Sequence, residues 1–108
     1  MKDDSIYIDH ILNSINRILD YTAGKDRESF EDELVTQDAV VRQLEIIGEA
    51  TKRVSRDFRS NHPDIPWSDM AGMRDVLIHD YIDVDFGVVW KTASEDIPRL
   101  KILMLKLQ

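Results

Sequence analysis

The stretch that decides the fold is residues 6–22, which read IYIDHILNSINRILDYT. Its apolar side chains recur every three or four residues, which is the spacing of a helix that buries one face. These positions are Ile8, Ile11, Leu12, Ile15, Ile18 and Leu19, followed by Thr22. The helix is predicted to begin after Asp4 or Ser5 as N-cap and to end near Gly24. A helix with a single apolar face needs other elements to cover it.

The next two segments continue the helical pattern. A polar link over residues 25–33, which contains Phe30, leads to a second predicted helix from Leu34 to Phe58. Gly48 lies in its middle, where glycine costs about 1 kcal/mol relative to alanine, so a close approach of another helix is one explanation for it. An extended connector is then predicted over residues 61–66, because Pro63 and Pro66 remove backbone donors and disfavour helix before them.

Two more helices complete the predicted architecture. One begins near Trp67 or Ser68 and runs through His79, with a break over residues 81–83. The last one takes Asp83 as N-cap, holds Asp85 in its first turn and is kinked at Pro98. No segment alternates with the period of a strand. We therefore expect residues 1–108 to form a single all-α domain, an up-and-down antiparallel bundle of four main helices.

The charge distribution bears on possible partners. The formal net charge is −7, which argues against generic nucleic-acid binding. However, residues 1–51 carry five Lys/Arg against twelve Asp/Glu, whereas residues 52–108 carry nine of each. In that neutral half, Lys52, Arg53 and Arg56 form a short basic run that could hold a phosphate backbone, although the solvated last turns of a helix are the favoured explanation.

Other classes of protein are excluded by composition. The chain has no cysteine, so neither a disulfide framework nor a thiolate metal site is expected. No apolar run is long enough for a membrane span, and the N-terminal residues lack a secretory pattern. The expected location is the cytoplasm. No pair among the three histidines has the spacing of metal ligands, so no metal site and no cofactor are expected.

Only one histidine has neighbours that suggest chemistry. His10 lies off the apolar stripe as a solvated residue, and His62 precedes Pro63 as a loop or capping residue. His79 is different, because Asp75 lies four residues before it, roughly 40° away around a helix, and could orient the imidazole. Arg74 and Tyr81 lie within roughly 20° of each other on a neighbouring stripe. On spacing alone, ordinary surface helix pairs are the favoured explanation of these residues, because a lone arginine and histidine pair is a weak signal.

A single helix does not bring the arginine and the histidine together. Arg74 and His79 are separated by roughly 140° around the helix axis. A two-fold dimer that packs these helices face to face could bring an arginine and a histidine from each chain to one cleft. The spacing therefore favours a dimer if the two residues act together.

Several separated segments resemble one family. The stretch GMRDVLIHDY at residues 72–81 is similar to the signature of the HepT branch of the HEPN superfamily: an arginine, four to six residues, a histidine, any residue and a tyrosine. Four further segments match in the same order. They are QDAVVRQLEIIGEA at 37–50, HPDIPW at 62–67, and the short matches Val89-Trp90 and Asp96-Ile97-Pro98 in the last helix. Asp75 stands where family members often carry asparagine.

The resemblance implies an activity and a partner. It implies a metal-independent endoribonuclease toxin that works as a dimer, with Arg74 and His79 as catalytic residues and Asp75 in support. It also implies a neighbouring minimal nucleotidyltransferase of the MntA kind, an antitoxin that transfers AMP from ATP to the motif tyrosine, here Tyr81. The alternative is a non-catalytic subunit that helps a nucleotidyltransferase to hold its nucleotide or substrate. A purely structural dimerisation module would leave the motif unexplained.

Overall fold

The computed structural model describes residues 3–72 and 84–108 of the chain. The first half contains α1 (Asp4–Thr22), α2 (Arg27–Glu31), α3 (Leu34–Arg53) and α4 (Arg56–Asn61). Helix α5 begins at Trp67 and is described through residue 72. The last helical run comprises α6 (Phe86–Lys91), a π-helical turn (Thr92–Asp96) and α7 (Ile97–Leu105). Every regular element in the described ranges is helical, so the predicted all-α bundle is confirmed.

Helix α1 lies at the centre of the bundle, between α3 and α7. At its start, the Asp4 carboxylate accepts hydrogen bonds from the backbone N–H of Ser55 at 2.8 Å and from the Ser55 hydroxyl at 2.7 Å, just beyond the end of α3. The side chain of Gln108, beyond the end of α7, donates to Asp9 of α1 at 3.0 Å. The start of α1 therefore meets the ends of α3 and α7, so both of these helices run antiparallel to α1.

The core is built from the apolar stripes of these helices. Helix α1 contributes Ile11, Ile15 and Ile18, which are completely buried. The opposing residues of α3 and of the last helix include Val40, Leu44, Ile47, Ala93, Ile97 and Met104, each at most 1% exposed. The stripe predicted on α1 is the one that the core uses. None of the helices in the described ranges is long and apolar enough to cross a membrane.

The polar link predicted over residues 25–33 is wrong in part, because its middle is the short helix α2. The Asp26 carboxylate caps this helix by accepting a hydrogen bond from the Ser29 backbone N–H at 2.8 Å. In return, the Ser29 hydroxyl accepts a hydrogen bond from the Asp26 backbone N–H at 3.0 Å. The bond from Ser29 lowers the pKa of Asp26. This reciprocal capping box starts a helix within a polar sequence. Its apolar residue, Phe30, is 0% exposed.

The second predicted helix is also wrong at its end, because Leu34 to Phe58 is two helices. Val54 is buried but has an extended backbone, with φ −67° and ψ 136°. Ser55 follows as the N-cap of α4, and its hydroxyl accepts a hydrogen bond from the backbone N–H of Phe58 at 3.1 Å. The apolar spacing continues through this junction. The helix nevertheless ends there, because Ser55 caps the next helix and bonds to Asp4.

Two predicted N-caps shift by one or two residues. Helix α1 is capped by Asp3, which accepts a bond from the Ser5 N–H at 3.0 Å, and not by Asp4 or Ser5. The last helix is capped by Asp85, which accepts bonds from the backbone N–H groups of Gly87 and Val88 at 2.9 and 3.3 Å. Asp85 therefore lies before the first turn, and the predicted cap Asp83 lies outside the described residues.

The kink predicted at Pro98 stays a prediction, but a π-helical turn lies directly before this proline. Proline has no N–H to donate and its ring crowds the carbonyl four residues earlier. The wider turn over Thr92–Asp96 uses a bond from the Ile97 N–H to the Thr92 carbonyl, five residues back. Pro98 then falls in the first turn of α7, where a missing N–H costs nothing. The helical run continues without a gap.

Replacing Phe30 tests the importance of α2 for the fold. Phe30→Ala should lower the free energy of unfolding by about 3–5 kcal/mol, because it empties a fully buried site and removes the contact with Trp90, whose ring centroid is 5.3 Å away. Urea unfolding followed by circular dichroism at a fixed protein concentration measures this. The control is Val35→Ala, since Val35 is 84% exposed. A Phe30→Ala loss no larger than the control loss would contradict the role assigned to α2.

Candidate functional site

The catalytic residues predicted from the sequence, Arg74 and His79, lie outside the described residues, as do Asp75 and Tyr81. The predicted course of the third helix from residue 73 through His79 and the break over residues 81–83 lie there too. What the structure defines is the frame on each side of this segment. That frame consists of the start of α5 before the segment and the start of α6 after it.

The start of α5 is fixed to the core by Trp67. Its indole N–H donates to the carbonyl of His62 at 2.9 Å, and its ring meets Phe58 edge-on at a centroid distance of 6.2 Å. One turn later, Met70 is only 2% exposed. A connector without helix is confirmed at residues 62–66, but the extended form predicted over 61–66 is wrong. Asn61 is the last residue of α4, and the Ile65 N–H donates back to the His62 carbonyl at 3.3 Å in a turn. Its buried residue Ile65 and the tryptophan anchor together set the position from which α5 departs.

The start of α6 is fixed by an aromatic contact. The ring of Trp90 lies against Phe30 of α2, with an interplanar angle of 38°. The side chain of Val89 is 3% exposed, and Val84 packs against the core. Residues that bracket the predicted motif are therefore held by the core on both sides.

The space at Gly87 is a further feature of this second anchor. A Cβ placed on Gly87 would lie 2.5 Å from a terminal guanidinium nitrogen of Arg27 and 3.1 Å from a carboxylate oxygen of Asp85. The absence of a side chain at Gly87 therefore lets the Arg27 guanidinium lie over the first turn of α6, beside its capping carboxylate. Arg27 also pairs with Glu31 at 3.2 Å. Sequence reasoning missed this arrangement, although an aspartate two residues before a glycine is a usable signal of a helix start.

The basic run predicted to contact RNA is divided between two helices. Lys52 and Arg53 belong to the last turn of α3 and Arg56 to the first turn of α4, and all three are exposed. Arg53 pairs with Glu49 at 3.3 Å. The backbone break at Val54 means that these cations do not share one helix face. Their contact with RNA stays a prediction.

Arg53 also borders a groove between α1 and α3. The groove is lined by Tyr7, His10, Arg42, Glu45, Glu49 and Arg53, together with the apolar residues Ile46 and Ala50. Two arginines and two glutamates give this lining little net formal charge. His10 is exposed, as predicted for a solvated residue.

The remaining histidine has a structural role. His62 follows the last residue of α4 as its C-cap, and its backbone N–H donates to the Arg59 carbonyl. Its ring lies 4.5 Å from that of Phe58. The prediction of a loop or capping residue at His62 is confirmed, so neither histidine in the described ranges has the neighbours predicted for His79.

Comparison with known proteins identifies the family. Residues 11–107 match the model of the ribonuclease HepT-like family. The chain is 49% identical over 102 residues to a protein of Thermococcus cleftensis named "Probable ribonuclease HepT", covering 94% of this chain and 93% of that protein. It is 38% identical over 100 residues to a protein of Methanocaldococcus jannaschii named "Putative RNase", covering 93% and 92%. The chain therefore belongs to the ribonuclease HepT-like family.

Another relative is much longer than this chain. A Methanocaldococcus jannaschii protein named "Gamma-glutamylcyclotransferase and putative RNase" is 46% identical over 106 residues, which is 98% of this chain but 48% of that protein. The chain thus spans about half the length of this relative. No solved structure matches the chain.

Removing the cap of α6 tests the anchor that follows the motif. Asp85→Ala should lower the free energy of unfolding by about 1 kcal/mol, because two backbone N–H groups lose their acceptor. Asp38→Ala is the matched control, since Asp38 is exposed within α3 and its side chain makes no hydrogen bond in the described part of the chain. Its effect should stay within about 0.5 kcal/mol. Equal effects of the two changes in chemical denaturation would argue against the cap.

Proposed function

We propose that this chain is a metal-independent endoribonuclease that acts as the toxin of a toxin–antitoxin pair in the cytoplasm. The observation that carries the proposal is that the family match over residues 11–107 includes the complete pattern Arg74, His79 and Tyr81. The names of the relatives, ribonuclease HepT and RNase, support the same activity. Arg74 and His79 are the proposed catalytic residues.

The proposed chemistry needs only groups that the chain and the RNA supply. The imidazole of His79 takes the proton of a ribose 2′-OH, whose oxygen attacks the adjacent phosphorus. The bond from phosphorus to the 5′-oxygen breaks, and this oxygen leaves with a proton from an acid such as a second, protonated His79. The products are a 2′,3′-cyclic phosphate and a 5′-hydroxyl. The Arg74 guanidinium stabilises the charge on the pentavalent phosphate, and Asp75 orients the histidine.

The proposed active unit is a homodimer or an assembly of dimers. If the helix persists through the motif, Arg74 and His79 diverge by roughly 140° around its axis. A second copy supplies the complementary pair, so that one cleft contains an arginine and a histidine from each chain. Lys52, Arg53 and Arg56 are proposed to contribute weaker contacts to the RNA backbone, which would offset part of the net charge of −7.

Regulation is proposed to act on Tyr81. A partner nucleotidyltransferase of the MntA kind would transfer AMP from ATP to the Tyr81 hydroxyl, with release of pyrophosphate. The added phosphate could pair with the Arg74 guanidinium, and a charge-assisted pair of this kind is stronger than a neutral hydrogen bond. Substrate phosphate would then be excluded by both charge and bulk.

Replacing the proposed base tests the activity. His79→Ala should lower RNA cleavage by roughly 100- to 10,000-fold, the usual effect of losing a general acid or base, and should abolish growth arrest on inducible expression. His10→Ala is the matched control, because His10 is exposed on α1. Growth and RNA integrity are measured together in the same culture. A wild type that leaves RNA intact while binding a nucleotidyltransferase would instead favour the non-catalytic nucleotide- or substrate-binding subunit.

Replacing the tyrosine tests the regulation. Tyr81→Phe should keep most of the nuclease activity, because it removes one hydroxyl, but should escape neutralisation by a cognate nucleotidyltransferase with ATP. Mass spectrometry of the co-expressed wild type should detect AMP on the peptide that contains Tyr81. An unmodified Tyr81 in a fully neutralised complex would exclude this mechanism and favour simple steric masking.

A further inference from the structure

The groove between α1 and α3 is lined mostly by residues that the proposed mechanism does not use. Much of its lining comes from residues 37–50, one of the segments that resemble the family. The core explains the buried apolar residues of this segment, which are Val40, Leu44, Ile47 and Ala50. It does not explain Arg42, which is exposed, or Glu45, which is half-buried. These two groove residues therefore need a role other than packing.

Polar groups in this groove are left without partners inside the described part of the chain. The side chains of Arg42 and Glu45 lie one turn apart on α3, yet they form no ion pair with each other or with another residue in ranges 3–72 and 84–108. Tyr7 is half-buried against the core, and its hydroxyl makes no hydrogen bond in the same ranges. A cation, an anion and an aromatic ring therefore remain available to a ligand.

The size of the groove limits what can occupy it. Its volume is about 340 Å³, which lies at the lower end of the range for small-ligand pockets and is too small for a helix of a partner protein. Ile46 and Ala50 supply an apolar surface between the polar groups. An apolar slot with polar groups at its edges suits an unstacked nucleobase.

We propose that the α1–α3 groove binds an unpaired guanine nucleotide of the RNA substrate. This inference rests on the proposed nuclease for the identity of the ligand as RNA, and it adds selection of one base. The base lies on Ile46 and Ala50, the Glu45 carboxylate accepts hydrogen bonds from its edge, and the Arg42 guanidinium donates to its phosphate. His10 also lines the groove but is exposed, and it is assigned no contact.

The Glu45 carboxylate distinguishes guanine from the other three bases. An ionised carboxylate only accepts hydrogen bonds, through two oxygens that lie side by side. The Watson–Crick edge of guanine offers two adjacent donors, the N1–H and the amino group. On the same edge, adenine, cytosine and uracil each place an acceptor beside the donor, which the carboxylate repels. A glutamate that reads this edge therefore favours guanine.

Helix geometry assigns Tyr7 to a different base. The bonds between Asp4 and Ser55 fix the antiparallel register of α1 and α3. Tyr7 lies about 4.5 Å along α1 from Asp4, and Glu45 lies about 15 Å along α3 from Ser55, so the two are about 10 Å apart along the groove. Because side chains lean towards the N-terminus of their own helix, these two diverge further. The Tyr7 ring therefore stacks on the base next to the guanine.

Binding of short RNAs tests the base selection. Four labelled uridine oligonucleotides that differ only in a central G, A, C or U are titrated with His79→Ala protein, which prevents cleavage, and fluorescence anisotropy gives the Kd. The G oligonucleotide should bind about 5- to 150-fold more tightly than the A oligonucleotide. Adding Glu45→Gln, which keeps the shape of the side chain, should remove most of this preference.

Glu28→Gln is the matched control for this test, because Glu28 is exposed on α2 and its replacement removes the same charge. It should keep the preference for guanine. Equal affinities for the four oligonucleotides, or a preference that Glu45→Gln leaves unchanged, would overturn the proposal. Circular dichroism verifies that each variant is folded.

The phosphate and stacking contacts have their own test. Arg42→Ala should weaken binding of all four oligonucleotides by a similar factor, because a phosphate contact does not read the base. Arg17→Ala is the control, since Arg17 is exposed on α1 and does not line the groove. Tyr7→Leu should weaken binding without changing the preference for guanine. An Arg42→Ala effect no larger than that of Arg17→Ala would overturn the proposed contact.

Cleavage distinguishes failure of this inference from failure of the proposed nuclease. Sequencing of the fragments that wild-type protein makes from mixed-sequence RNA should show guanine enriched at a fixed distance from the cut. Glu45→Gln should still cleave but lose this enrichment. Cleavage without guanine enrichment would overturn the groove assignment and leave the nuclease proposal intact. Guanine-selective binding that needs Glu45, without any cleavage by wild type, would support the groove assignment and contradict the nuclease proposal.

Discussion

The apolar contact between α1 and α3 is the constraint on which the rest of the structure depends. Completely buried isoleucines on α1 face Val40 and Ile47 on α3, and the pair of helices fixes the axis of the bundle. The Asp4 carboxylate bonded to Ser55 then sets how far one helix slides along the other. Helix α7 packs against α1, so its position depends on how α1 and α3 are placed.

The start of the last helix depends on a second contact, between Phe30 and Trp90. Phe30 occurs in a helix of five residues, which could not persist alone. The Gln37 side chain stabilises it by donating to the carbonyls of Phe30 and Glu31 at 2.9 and 2.7 Å. This cluster and the Trp67 anchor therefore fix the described residues on each side of the proposed catalytic segment.

The sequence predicts the long elements well because their apolar stripes persist over many turns. The stripe from Ile8 to Leu19 and the presence of a connector before Trp67 were both predicted, although the connector is a turn and not extended. The misses occur where local capping competes with periodicity: the helix around Phe30, the break at Ser55 and the cap at Asp85. At the site, sequence supplies the identity of Arg74 and His79. It does not supply their relative positions, because a straight helix would separate the two side chains by roughly 140° and the proposed cleft needs a second chain.

The central claim is that Arg74 and His79 cleave RNA with the ribose 2′-OH as the nucleophile and without a metal. The most direct test uses an RNA oligonucleotide that the purified protein cleaves at a mapped linkage, beside a copy with a single 2′-deoxyribose on the 5′ side of that linkage. In EDTA, the all-ribose RNA should be cleaved at the mapped linkage to a 2′,3′-cyclic phosphate. The RNA with the single 2′-deoxyribose should not be cleaved at that linkage. Cleavage at the deoxyribose linkage, or cleavage only after a divalent metal is added, would contradict it.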